Sequence, residues 1–208
     1  MSLAHADSGG AKPEAAPEPA KETVKEVAKI ESETISAKPP AIPAGPYKVR
    51  IETTKGSIVV ELFPEEAPKS VSNFLQLVDS EFFNGTVFHR VIANFMIQAG
   101  GYDAKLTYKN PPRTVPNESA NGLKNLRGTL AMARREDPDS ADAQFFINMR
   151  DNAHLDPVAG RAGYTVFGKV IAGMATAERI ELVDTKLQAG LHAAPEQPIE
   201  IISVTRLP

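Results

Sequence analysis

Phe88-His89-Arg90-Val91-Ile92-Ala93-Asn94-Phe95-Met96-Ile97-Gln98-Ala99-Gly100-Gly101, with Val87 before it, spans two short β-rich runs, 87–92 and 95–99, closed by a glycine pair. Asn84-Gly85 just ahead of it is a turn signal. Upstream, Tyr47, Val49 and Ile51 alternate with Lys48, Arg50 and Glu52, the period-2 signature of a half-buried strand. Thr54-Lys55-Gly56-Ser57 supplies a turn, and 58–63 reads as the returning strand of a hairpin. Pro68 suits a first helical position. After it, Val71, Phe74, Leu75 and Val78 recur at i, i+3, i+4 and i+7, which predicts a helix ending near Ser80.

Downstream, 102–125 is polar and carries Pro111, Pro112 and Pro116, so it reads as loop. Further strands are expected at 129–133, 144–149 and 164–170, a second helix at 174–183 and a last strand at 199–206. Many short strands with few helices point to a mainly β barrel or sandwich, and two helices can plug the open ends of a barrel.

The 208 residues suit one domain with an appendage. Residues 1–44 contain no aromatic residue and six of the 17 prolines, with Ala, Glu and Lys supplying much of the rest. Such a segment has little apolar surface to set against the entropy of ordering, so it reads as a mobile extension. Val24, Val27 and Ile30 allow one short helix within it. The folded domain is placed at 45–208. A net charge of -3 argues against bulk electrostatic binding of nucleic acid. No stretch approaches the roughly 20 apolar residues of a membrane-spanning helix, so no membrane partner is expected. Absence of cysteine removes disulfides and thiol chemistry. Ala4-His5-Ala6 has the small-x-small pattern that precedes a signal-peptidase cut, without a hydrophobic region before it. One reading is the remnant of an export signal, the other an Ala-rich tail.

The 88–101 stretch resembles the signature of cyclophilin-type peptidyl-prolyl isomerases. The likeness continues in order through Gly128-Thr129-Leu130-Ala131-Met132-Ala133, Gln144-Phe145-Phe146-Ile147-Asn148 and Val166-Phe167-Gly168-Lys169-Val170. It covers about 47–208 and is most similar to exported bacterial members. The resemblance implies an eight-stranded antiparallel β-barrel capped by two helices, acting without cofactor or metal on proline-containing polypeptides. It also implies a periplasmic site, with the cytoplasm as the alternative, and a monomer.

Such an enzyme faces a rotational barrier of roughly 18–20 kcal/mol from the partial double bond. Uncatalysed X-Pro exchange takes tens to hundreds of seconds. An acceleration of roughly 10⁵-fold corresponds to about 7 kcal/mol of transition-state preference. No leaving group departs, so neither nucleophile nor proton-transfer pair is required. An apolar pocket must grip the proline ring, and a donor must meet the prolyl nitrogen. That nitrogen gains a lone pair as the bond twists, so a preorganised donor favours the twisted form selectively.

Within the resemblance, Arg90 is that donor, because its guanidinium offers several N–H groups in a rigid, permanently charged plane. Gln98 is the neighbour whose carbonyl accepts from it. Phe95, Met96, Phe146 and Leu155 match the proline pocket. Phe145 and Phe146 must face opposite sides of one strand, so one fills the core while the other serves a groove. Ala133-Arg134 corresponds to the stretch whose backbone pairs with the peptide, which makes the Arg134 side chain of lesser importance. Gln144 matches a groove contact to the substrate backbone. His154 stands where eukaryotic relatives carry a tryptophan that binds cyclosporin, and Tyr164 near where they carry a histidine, so weak cyclosporin binding is expected.

Alternation turns His89 away from the groove, towards a structural role. His5, His89, His154 and His192 lack metal-ligand spacing, so no metal site is expected. Gly100-Gly101 reads as turn chemistry. Asn84-Gly85-Thr86 and Asn117-Glu118-Ser119 fit the glycosylation pattern, which arises often by chance. Arg134 and Arg135 make one rim basic, which would favour acidic peptides. From another class, a peptide-binding chaperone module would use the same groove without catalysis, but would not require the Arg90–Gln98 pair.

Overall fold

The computed structural model describes residues 47–208. The expected extension, its short helix and the Ala4-His5-Ala6 motif therefore lie outside the described residues. Ten strands and two α-helices follow in the order β1 Lys48–Thr53, β2 Gly56–Leu62, α1 Pro68–Asp79, β3 Arg90–Ile92, β4 Met96–Ala99, β5 Thr129–Met132, β6 Phe145–Asn148, β7 Val166–Ala172, α2 Met174–Glu181, β8 Thr185–Gln188, β9 Leu191–Pro195 and β10 Ile201–Leu207.

Eight strands form one antiparallel sheet in the order β10-β1-β2-β7-β5-β6-β4-β3. The sheet curls into a half-barrel, where the sequence led us to expect a complete one. Its outer strands β3 and β10 do not pair with each other. The chain just before each of them meets instead in an isolated bridge, Val87 to Glu200, with Phe88 N–H donating to Ile199 O at 2.9 Å. This also shortens β3 relative to the expected 87–92, because Val87 N–H donates to Tyr102 O rather than into the β3–β4 ladder.

The main core lies on the inner face. There Phe74 of α1 packs on Phe83, Phe145 and Phe167 at centroid distances of 5.0, 5.5 and 5.3 Å. The i, i+3, i+4, i+7 residues of α1 are all buried in this core. The N-terminus of α1 lacks a local side-chain cap. The Glu118 carboxylate replaces it, accepting from Lys69 N–H at 2.9 Å and Ser70 N–H at 2.8 Å. That carboxylate satisfies two orphan donors and complements the helix dipole. α2 contributes Ala177 and Ile180 to the same core. It is preceded by Gly173 at the N-cap, whose φ of 83° and approach to Ser57 O, 2.2 Å from where a Cβ would stand, admit no side chain.

The β8–β9 hairpin has no counterpart in the sequence reading. Thr185, Lys186 and Leu187 are all exposed, so the strand shows no alternation to detect. Its two-residue turn, Ala189-Gly190, holds φ values of 49° and 79°, the double left-handed geometry of a tight hairpin.

Candidate active site

Side chains directly opposite one another on antiparallel strands share a face. The register runs Arg90 to Gln98, Gln98 to Phe146, Phe146 to Ala131 and Ala131 to Val166. These five residues therefore form one row across β3, β4, β6, β5 and β7, on the face turned away from the main core. Met96, Ala131, Phe146 and Val166 make a second, smaller apolar cluster there. Phe145 belongs to the main core and Phe146 to this cluster, as strand alternation requires.

Over this row opens a cavity of about 180 Å³, lined by Arg90, Phe95, Met96, Gln98, Ala133, Arg134, Phe146, Leu155 and Tyr164. Met96 and Phe146 form a rigid floor, being 1% and 4% exposed. Phe95 sits in the turn between β3 and β4, where Asn94 takes a left-handed φ of 56°. Leu155 closes the 3-10 turn Ala153–Leu155, and Tyr164 meets it through a backbone bond to Leu155 O at 2.9 Å. That bond leaves Tyr164 just outside β7, which begins two residues after the expected start at 164.

Arg90 Nη1 donates to Gln98 Oε1 at 3.4 Å and lies 3.7 Å from Met96 Sδ. Its guanidinium carbon stands 6.0 Å from the Phe95 ring centroid. Burial lowers the Arg90 pKa, opposed by the charge interaction with Tyr164. The group stays cationic at neutral pH because guanidinium starts so high. Gln98 Nε2 donates onward to Gln144 Oε1 at 3.0 Å. Gln144 and His154 are the two expected site residues that do not line the cavity. Gln144 orients Gln98 from behind, and His154 stacks on Phe95 at 5.6 Å with 26° between planes.

Gly101 is more than a turn residue. A Cβ there would stand 2.6 Å from Gln144 Cγ, so its bareness lets the Gln144 side chain lie across the backbone. His89, 2% exposed, packs on Tyr102 at 4.6 Å with its Nδ1 unpartnered. Burial pushes its pKa down to about 4; the Val87 backbone and Gln144 oppose this, and Arg90 adds to it. It is a neutral imidazole behind the groove.

Two features escaped the sequence reading. The first is the Arg134 side chain, which proves to be a fixed structural clip. Its Nε donates to Gly163 O at 3.2 Å, Nη2 to Ala162 O at 2.9 Å, and Nη1 to Arg135 O at 2.9 Å and Glu136 O at 3.1 Å. The guanidinium also lies 4.8 Å over the Tyr164 ring. The second is a buried amide network beneath the cavity. Asn152 Nδ2 donates to Phe95 O at 2.9 Å and to Asn148 Oδ1 at 2.8 Å. Asn148 Nδ2 reaches Asn125 Oδ1 at 3.2 Å, and Asn125 Nδ2 reaches Asp156 Oδ1 at 3.1 Å. The sequence reading did not find it, because the network joins the end of β6 and the segment after it to Asn125, in a loop more than 20 residues upstream.

A larger cavity of about 460 Å³, bounded by residues such as Lys55, Asp184, Glu196 and Ile199, shares no residue with the groove.

The model of the cyclophilin type peptidyl-prolyl cis-trans isomerases matches residues 48–206. The chain belongs to the cyclophilin family. It is a peptidyl-prolyl cis-trans isomerase of that type, and bacterial cyclophilins stand among its relatives. A peptidyl-prolyl cis-trans isomerase of Acinetobacter baylyi is 49% identical over 156 residues, 75% of this chain and 83% of that one. Peptidyl-prolyl cis-trans isomerase B of Escherichia coli is 44% identical over 162 residues, 76% of this chain and 98% of that one. A Cryptosporidium parvum cyclophilin, solved in the presence of the dipeptide Ala-Pro, superposes with a TM-score of 0.65 at 29% identity, covering 77% of this chain and 99% of that one.

Proposed function

We propose that the 180 Å³ cavity is where this isomerase turns the X-Pro bond, with Phe95, Met96, Phe146 and Leu155 gripping the proline ring. The observation that carries the reading is a cationic fork, Arg90, held by Gln98 on the cavity wall beside the apolar floor of Met96 and Phe146. Arg90 donates to the prolyl nitrogen as its lone pair develops, and Gln98, braced by Gln144, orients the fork. The apolar floor holds the ring side of the bond while the acyl side rotates. Ala133 N–H is engaged by Gln144 O at 2.9 Å, so the Ala133–Arg134 segment meets the peptide from a fixed backbone. The Ala-Pro dipeptide named for the Cryptosporidium parvum relative supports a proline-containing ligand here.

Replacing a preorganised donor typically costs about 10²–10³ in turnover. Arg90→Ala is therefore expected to lower kcat/KM by about that factor in a protease-coupled assay on a Pro-containing peptide, while the far-ultraviolet spectrum is retained. Equal rates for wild type and variant would refute the assignment of Arg90. We propose further that the enzyme works as a monomer and binds cyclosporin weakly, since His154 offers less apolar area than a tryptophan. Ala4-His5-Ala6 supports a periplasmic site, with the cytoplasm as the alternative, and fractionation of the native host decides between them.

A further inference from the structure

We propose that Arg134 makes this isomerase prefer peptides that carry an acidic side chain beside the proline. The inference rests on the groove reading above. The cavity is lined by two guanidiniums, Arg90 and Arg134, and by no carboxylate. All four bonds of Arg134 run to backbone carbonyls, those of Gly163, Ala162, Arg135 and Glu136. Carbonyls are dipoles, so they fix the group's position without cancelling its charge. Stacking over Tyr164, itself a lining residue, holds the charge at the cavity wall.

Arg135 does not share this property, although the sequence treats the two alike. It is exposed, does not line the cavity, and its Nη2 lies 3.5 Å from the buried Asp142 carboxylate. The acids on the adjoining turn are directed elsewhere. Asp137 Oδ1 accepts from Asp139 N–H at 2.9 Å, and Asp139 Oδ1 accepts from Asn117 N–H at 2.7 Å. Neither they nor Glu136 line the groove. A bound peptide therefore meets a positionally fixed, uncompensated positive charge at a half-buried wall, where screening is weaker than in bulk water. An acidic neighbour of the proline is drawn in and a lysine is repelled, which alters encounter and register.

The test compares kcat/KM for two peptides differing only in Glu-Pro or Lys-Pro, using the full chain. At about 20 mM salt the Glu:Lys ratio is expected on the order of ten, falling towards one at about 0.5 M. R134Q should bring the low-salt ratio close to one, and R134K should retain more of it than R134Q. The ratio is internal to each variant, so an overall loss of activity from a loosened Tyr164 does not blur it. A wild-type ratio of one at low salt, an unchanged ratio in R134Q, or identical ratios in R134K and R134Q would each overturn the proposal. Failure of the groove reading shows differently, as wild-type turnover in Arg90→Ala.

Discussion

His89 and Arg90 are neighbours in sequence with opposite fates, one sealed behind the groove and one presented to it. Burial holds the His89 pKa near 4, below its ordinary 6.5. The unfolded chain therefore takes up a proton more readily than the folded one between those values. Stability is complete above about pH 6.5, is lost progressively as pH falls towards 4, and levels off below. A gap of this size corresponds to about 3 kcal/mol at most. We expect urea midpoints to drop between pH 7.5 and 4.5, and His89→Gln to flatten that drop; parallel profiles would show that His89 does not contribute. At this scale the sequence was legible where alternation decides an outcome, as for Phe145 against Phe146 or His89 against Arg90. It was not legible for Arg134, whose four acceptors are backbone carbonyls and leave no mark in residue identity.

Elements carry the site only because irregular segments are tied to them. The β3–β4 turn that holds Phe95 is pinned from below by Asn152 and by Met149 N–H, which donates to Phe95 O at 2.9 Å. Leu155 hangs from the same residue through its N–H to Asn152 O at 2.9 Å. Asn152 thus sets the gap between two walls of the cavity, Phe95 and Leu155, without touching Arg90. Asn152→Ala would strip Asn148 Oδ1 of its donor and free one bond at Phe95. A loss of about 1–3 kcal/mol in stability follows. Its signature in kinetics should be a KM raised several-fold with kcat changed less, read from full saturation curves. An unaltered KM in a folded variant would refute the positioning role. Strands and helices with one buried face were readable from periodicity. The β8–β9 hairpin and this amide network were not, since one has an exposed first strand and the other joins the end of β6 to a loop distant in sequence.

At the scale of the molecule, every residue of the groove lies between Arg90 and Tyr164, and the family match begins at residue 48. A chain lacking residues 1–44 is therefore expected to keep kcat/KM within about twofold on a short peptide, where diffusion and the groove alone set the rate. A tenfold loss would mean that the N-terminal segment takes part in turnover. The half-barrel also has a built-in order of completion. Its first strand sits between its second and its last, with Ile51 opposite both Ile58 and Val204. A chain leaving the ribosome thus carries β1 with one edge bare until β10 has been made. Non-local closure of this kind is slow and leaves strand edges open to wrong partners. During its own synthesis, a catalyst of folding must therefore wait for the last strand of its sheet before the first is paired on both edges.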